Sequence, residues 1–140
     1  MKKILLLTAM LLAPTFAQAE WIEISTGDSI GDVSVYIDSA EIRRNGNAFY
    51  FWTLWDFARI QADVPATPYR SAKSQQEINC ATKQVRTLTL SYHSEQMALG
   101  QVVLSYSFDG SPKEFDRSWK PIAPNTFFSV IFESVCELAK

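Results

Sequence analysis

The sequence predicts an α+β fold in which a twisted antiparallel β-sheet carries a C-terminal α-helix on one face. Two observations lead to this fold class. In several segments between residues 33 and 108, apolar residues recur at every second position, which is typical of strands. From residue 125 onward they recur at every third or fourth position, which is typical of a helix with one apolar side.

Composition excludes several function classes. The 140 residues suffice for one domain, and 13% aromatic residues can form a core, which excludes an intrinsically disordered chain. A formal net charge of -2 excludes a strongly basic nucleic-acid-binding protein, so no nucleic-acid partner is expected. One histidine and two cysteines are too few for a usual zinc site, and we expect neither a metal nor a cofactor.

Residues 1–19 have the three-part layout of a secretory signal peptide. Lys2 and Lys3 form a basic start, residues 4–12 are apolar, and Ala17 and Ala19 are small residues before a cleavage site. The apolar run is too short to cross a bilayer, which takes about 20 residues. A retained N-terminal anchor is the alternative.

We therefore expect residues 20–140 to form a single mature domain that is exported to the periplasm or to the extracellular space. Loss of Lys2 and Lys3 leaves 11 basic and 15 acidic residues, a net charge of -4. Because no cysteine lies beside the cleavage site, no lipid anchor is expected. No later apolar stretch is long enough for a membrane span.

The first strands lie on either side of a predicted hairpin turn. Val33, Val35 and Ile37 alternate with polar residues, and Asn45-Gly46 is a strong two-residue hairpin signal. The returning strand, residues 48–57, is apolar on both faces. The helix can cover one of these faces, whereas the other needs another layer, a partner chain or a ligand.

Further strands follow the proline-containing loop at residues 62–69. The segment 70–92 contains neither glycine nor proline. Its even-numbered positions include the apolar residues Ile78, Cys80, Leu88, Leu90 and Tyr92, which therefore share one phase of the strand pattern. Gln84 and Arg86 fall in that phase, so either a β-bulge shifts the register or Arg86 points toward the covered face; we favour the bulge. Residues 101–108 form another strand, and residues 109–124 connect it to the helix, with a short strand near Trp119 as an option.

The C-terminal helix is about fourteen residues long, and Asn125 or Thr126 can cap it. Its apolar stripe contains Phe128, Ile131, Phe132, Val135 and Leu138. Cys136 lies at the edge of this stripe, and Cys80 is the other cysteine of the chain. An exported protein meets an oxidising compartment, so we expect a Cys80–Cys136 disulfide that ties the helix to the sheet. Two buried thiols or an intermolecular bridge are the alternatives.

The sequence does not indicate an enzyme. His93 is the only histidine, and it follows Ser91 and precedes Ser94 and Glu95. A hydrolase needs a nucleophile, a base and an orienting acid, and the chain has no Gly-x-Ser-x-Gly elbow. We interpret His93 as a structural residue at the surface near a turn and assign no catalytic residue.

Candidate binding residues come from charge. Arg70, Lys73, Lys83 and Arg86 place four cations in the central segment, against the single acidic residue Glu77, and can engage an acidic protein surface. The alternative is ordinary solvated strand charge. The second apolar face of residues 48–57 suggests a homodimer interface, or burial under loops of the same chain.

Several motifs resemble the surface-adhesin protein E family of Gram-negative bacteria, over residues 21–138. They are Tyr36-Ile37-Asp38-Ser39 before Glu41-Ile42, Tyr69-Arg70-Ser71 before Ile78-Asn79-Cys80, Gln84-Val85-Arg86, Met97 with Gly100, and Pro124-Asn125-Thr126 before Cys136. The resemblance implies a sheet of about six strands with a disulfide-tethered helix. It also implies a non-enzymatic binding module for host matrix or serum proteins such as vitronectin and laminin, and in some members dimerisation.

A different function is kept as the alternative. In it, the chain is a periplasmic carrier or sensor of a small apolar ligand. The ligand would occupy a pocket under the helix, lined by the aromatic residues Phe49, Phe51, Trp52, Trp55 and Phe57.

Overall fold

The computed structural model describes residues 19–24, 32–63, 67–107 and 118–140. These residues form an eight-stranded antiparallel sheet and one α-helix, which confirms the α+β class. The expected signal peptide lies, except for Ala19, outside the described residues. The elements are β1 (Trp21–Glu23), β2 (Val33–Asp38), β3 (Arg43–Asn45), β4 (Ala48–Gln61), β5 (Tyr69–Asn79), β6 (Gln84–His93), β7 (Val102–Ser107), β8 (Lys120–Pro121) and α1 (Phe127–Leu138).

Three long strands, β4, β5 and β6, form the centre of the sheet, whose order is β1-β2-β4-β5-β6-β7. Two short strands share each outer side of this centre. Along β4, β2 pairs with residues 53–57 and β3 with residues 48–50. Along β6, β7 pairs with residues 89–93 and β8 with residues 84–85. The order contains the six strands expected, and the two short strands β3 and β8 pair beside it and bring the described total to eight.

The hairpin between β3 and β4 differs from the prediction by one residue. Asn45 pairs with Ala48, so the two-residue loop is Gly46-Asn47 and Asn45 belongs to the strand. Gly46 has φ +60°, as the first central residue of a type II′ loop requires. The Asn45 side chain donates hydrogen bonds to Tyr50 Oη (2.8 Å) and Glu77 Oε1 (2.9 Å), which holds Asn45 in the sheet.

The predicted bulge is present in β6 at Leu88. Gln76 pairs with Thr87 while Gln75 pairs with Thr89, so Leu88 is the additional residue. The shift reverses the faces of the residues after Leu88 relative to those before it. Arg86 consequently lies opposite Glu77, on the face away from the helix.

The core lies between α1 and one face of the sheet. Ile131 and Val135 of α1 pack with fully buried residues of β2, β4 and β5, among them Phe51 and Ile78. Phe127 meets Trp55 edge to face, with ring centroids 5.1 Å apart. Phe49 and Trp55 border this cluster, and Phe57 follows on the same face. Trp52 was expected under the helix but lies on the opposite face, because it is an even-numbered residue of β4.

The helix begins and ends close to the predicted positions. Thr126 is its N-cap and forms a capping box with Ser129, which satisfies two free N–H groups of the first turn. Leu138 is 52% exposed, so the buried stripe ends before it. Cys136 forms a disulfide with Cys80, which directly follows β5, and their Cα atoms are 6.0 Å apart. The expected tether between helix and sheet is confirmed.

An aromatic cluster continues along the same face toward β7. Tyr69 lies between Phe57 and Tyr92, with centroid distances of 5.7 and 4.7 Å. Its hydroxyl donates a 2.7 Å hydrogen bond to Asp63 Oδ1. Burial, with this hydrogen bond and the charge of Asp63 adding to it, raises the pKa of Tyr69 well above its usual range. Tyr69 therefore stays a neutral donor throughout the physiological pH range.

Candidate interaction surface

The face of the sheet opposite α1, called the far face below, carries aromatic and charged side chains instead of a helix. Strand alternation and the observed register place these residues together. Leu54 at its centre is fully buried, whereas Trp52 and Lys73 are half-buried. The far face includes Tyr36, Tyr50, Trp52, Leu54, Lys73, Gln75, Glu77, Arg86, Ser91 and His93.

Lys73 lies between two tryptophan rings on the far face. Its ammonium nitrogen is 4.5 Å from the ring centroid of Trp52 and 5.7 Å from that of Trp21. Trp21 belongs to β1 and Lys73 to β5, so the lysine side chain extends across β4, where Leu54 pairs with it. Each cation–π contact contributes about 0.5–2 kcal/mol, depending on how far the site is desolvated.

A second cation on the far face is neutralised. Arg86 forms an ion pair with Glu77, whose side chain is only 2% exposed, and the Arg86 guanidinium lies 4.5 Å from the ring centroid of Trp119. Asn45 donates to the other carboxylate oxygen of Glu77. Because both carboxylate oxygens of Glu77 accept hydrogen bonds, this cluster is suited to holding β3, β5, β6 and the segment before β8 together.

His93 lies at the other end of the far face and is buried, contrary to the expected surface position. Its Nε2 is 3.0 Å from Ser91 Oγ, and burial together with the charge of Lys73 lowers the pKa of the imidazole. Its Nδ1, also buried, has no hydrogen-bond partner in the described part of the chain. A catalytic triad needs an acid at that nitrogen, so the described residues do not build one around Ser91 and His93.

The loop that follows His93 lies against the sheet in a strained conformation. Met97 and Ala98 have φ values of 56° and 57°, in the left-handed region that residues other than glycine rarely adopt. Asp56 accepts a 2.7 Å hydrogen bond from the Met97 amide, and Ser71 Oγ accepts one of 2.9 Å from the Ala98 amide. These two side chains hold the loop in place.

The structure brings together two of the four predicted binding residues. Lys73 and Arg86 share the far face, whereas Lys83 is exposed in the turn between β5 and β6. Arg70 lies at the opposite end of β5 and donates a 2.9 Å hydrogen bond to the carbonyl of Ala58. Only Lys73 and Arg86 therefore share a surface, and the four cations do not form a single basic patch.

The residues that sequence reasoning missed are the partners of these cations: Trp21, Glu77 and Trp119. Alternation alone places Lys73 and Glu77 on one strand face, four positions apart with Gln75 between them. Their shared face could therefore be predicted from the sequence. The pairing of Glu77 with Arg86 could not be predicted, because it depends on the length of the turn between β5 and β6.

Two features of the described residues bear on function classes. In that part of the chain, no cluster of three or more His, Cys, Asp or Glu side chains could hold a metal ion. None of the helices described is both long and apolar enough to span a membrane.

Comparison with known proteins gives a family. The family model for surface-adhesin protein E matches residues 21–137. Two structures of Haemophilus influenzae protein E are similar in fold at 19% sequence identity. One, with a TM-score of 0.59, covers 91% of each chain; the selenomethionine form, with a TM-score of 0.60, covers 89% of this chain and 91% of its own. A comparison with curated proteins gives no match. The extent of the family match, nearly the whole length after residue 20, shows that this chain belongs to the surface-adhesin protein E family.

Proposed function

We propose that this chain is an exported, non-enzymatic binding module whose far face contacts an acidic segment of a host matrix or serum protein, such as vitronectin or laminin. The observation that carries the proposal is the position of Lys73 between Trp21 and Trp52. Lys73 takes part in none of the salt bridges among the described residues, unlike Arg86 and Arg43. Its charge is thus available to a carboxylate from outside.

The arrangement around Lys73 suits recognition of another protein. Tryptophan is enriched at the residues that dominate binding energy, because it offers a large contact area at a low cost in conformational entropy. The two rings already order the lysine, so binding immobilises little more of its side chain. Since the mature chain has a net charge of -4, a local cation also helps orient an acidic partner against the overall repulsion.

The experiment measures binding of the exported protein to immobilised vitronectin and laminin in 0.15 M NaCl. Lys73→Ala is expected to raise the dissociation constant about tenfold, which corresponds to roughly 1.4 kcal/mol. Lys83→Ala removes the same charge from an exposed turn and is the matched control, with an expected change below about twofold. Equal effects of the two substitutions, or no binding of the unmodified protein to either ligand, would contradict the proposal.

The ligand-carrier alternative is not favoured by the packing under the helix. Phe51 is fully buried in one cluster with Ile131 and Val135, which is how side chains fill a protein core. Trp52, one of the five aromatic residues of the suggested pocket, lies on the far face.

Location and oligomeric state complete the proposal: fractionation should place the protein in the periplasm or outside the cell. A homodimer through the far face should lose its dimeric mass on Trp52→Ala.

A further inference from the structure

The backbone nitrogen of Glu20 lies beside a buried carboxylate. It is 3.1 Å from Oδ1 of Asp38, the last residue of β2, which pairs with Trp21 and is 3% exposed. The same oxygen accepts a 3.1 Å hydrogen bond from the Ala40 amide. Both donors are neutral, and Asp38 takes part in none of the salt bridges among the described residues.

Glu20 is held on both sides. Its carbonyl accepts hydrogen bonds from the amide of Ser39 (3.1 Å) and from Ser39 Oγ (3.3 Å). The end of β2 and the turn after it therefore hold Glu20 through both its nitrogen and its carbonyl oxygen. Ala19 and Glu20 are both exposed, so the peptide bond between them lies at the surface.

We propose that cleavage between Ala19 and Glu20 places the new α-ammonium group of Glu20 on the carboxylate of Asp38, where the resulting ion pair fixes β1 to the sheet. Hydrolysis consumes one water: its hydroxyl group joins the Ala19 carbonyl carbon, and the Glu20 nitrogen takes its proton. A free α-amino group has a usual pKa of about 7.7–8.0, so at pH 7 it takes up a further proton and is mostly charged. The proposal rests on the expected signal peptide and needs no particular binding partner.

The ion pair matters because β1 is short. It has three residues, lies at the edge of the sheet, and its Ile22 is 39% exposed, so little apolar burial holds it. A hydrogen bond between two charged groups is roughly twice as strong as one between neutral groups. β1 also carries Trp21, which lies beside Lys73. Processing of the precursor thus completes the structure at one border of the far face.

The test compares proteins exported from their own full-length precursors, with the start of each mature chain read from its intact mass. Insertion of Gly-Ser-Gly between Ala19 and Glu20 moves the α-amino group away while leaving the Glu20 amide in place. The insertion and Asp38→Asn are each expected to lower the Tm by about 3–5 °C at pH 7. Because both remove the same ion pair, the combined variant should lose no more than either alone.

Asp32→Asn is the matched control, since Asp32 is exposed and pairs with Arg59 rather than with the terminus. Its effect should add to that of the insertion. An unchanged Tm on insertion, additive losses with Asp38→Asn, or an exported protein that does not begin at Glu20 would overturn the proposal. If Asp38→Asn does not fold, the insertion alone decides. Failure to bind vitronectin or laminin would leave this result unaffected, so the two proposals can fail separately.

Discussion

Glu77 Oε2 accepts a 2.6 Å hydrogen bond from Arg86 Nε and lies 2.5 Å from Nη2 of the same guanidinium, while the Glu77 side chain is 2% exposed. The pair lies opposite in register on β5 and β6. Removing one member of a buried ion pair leaves the other charge without compensation. The Arg86 side chain is 24% exposed and keeps some contact with solvent. We therefore expect a loss of stability near the lower end of the roughly 3–5 kcal/mol that breaking a buried ion pair costs.

Glu77→Ala is therefore expected to lower the free energy of unfolding by about 3 kcal/mol, measured by urea denaturation. Glu41→Ala is the control, because Glu41 pairs with Arg43 at the surface, where such pairs contribute about 0–1 kcal/mol. Similar losses in the two variants would show that the Glu77–Arg86 pair is not what stabilises the join between β5 and β6.

The disulfide gives a second prediction. It joins residues separated by 56 positions, and on the chain-entropy model a loop of this length contributes about 4 kcal/mol. The double variant Cys80→Ala/Cys136→Ala should lose about that amount in urea denaturation. Reductant should destabilise the parent but not the variant. Intact masses of the parent that are identical with and without reductant would contradict the bridge.

The elements with strong local signals were predictable. A capping residue before an apolar stripe predicts a helix start at Asn125 or Thr126, and polar residues in the apolar phase predict a bulge between Cys80 and Leu88; the structure has them at Thr126 and Leu88. For these features the determining interactions lie within a few residues of one another in the sequence. The strand β4 likewise follows from the hairpin signal before it, whereas the turn that divides residues 70–92 into β5 and β6 was not predicted.

The remaining features depend on distant parts of the chain. Trp21 meets Lys73 across two intervening strands, and Trp119 meets Arg86 only because β8 joins the side of β6. No local pattern reports such contacts. Arg70, Lys73, Lys83 and Arg86 look like one basic patch when read along the sequence, whereas strand direction and alternation leave only Lys73 and Arg86 on one face.

Two glycines with positive φ give a matched prediction. At Gly46 (φ +60°) an added Cβ meets no atom within 4 Å, so Gly46→Ala should lose only the cost of the left-handed conformation, about 1 kcal/mol. At Gly100 (φ +74°) the added Cβ also collides with Ser94 Oγ and comes within 2.8 Å of Glu95 Cγ.

Gly100→Ala should therefore lose more stability than Gly46→Ala, because the loop after His93 must move in addition. The comparison is made by thermal unfolding of both variants under the same conditions. Equal shifts in Tm would show that Ser94 and Glu95 adjust freely, and that the loop is less tightly held than its hydrogen bonds to Asp56 and Ser71 indicate.

His93 predicts how stability depends on pH. Burial, and to a lesser degree the positive charge of Lys73, lowers the pKa of its imidazole below the usual value of about 6.5. Between that value and the lowered one, the unfolded chain binds a proton that the folded chain does not. The contribution of His93 therefore lowers stability as pH falls from about 6.5 to the lowered pKa, and changes no further below it.

His93→Gln removes the titrating group but keeps a polar side chain near Ser91. Urea midpoints at pH 7.5 and pH 5.0 should then differ less in this variant than in the parent, whatever the absolute cost of the substitution. Lys73→Ala should reduce the difference in the same direction but by less, because burial is the larger cause of the lowered pKa. If both variants lose as much stability as the parent between the two pH values, His93 is protonated equally in the folded and unfolded chains, and the desolvation inferred from its buried position does not occur.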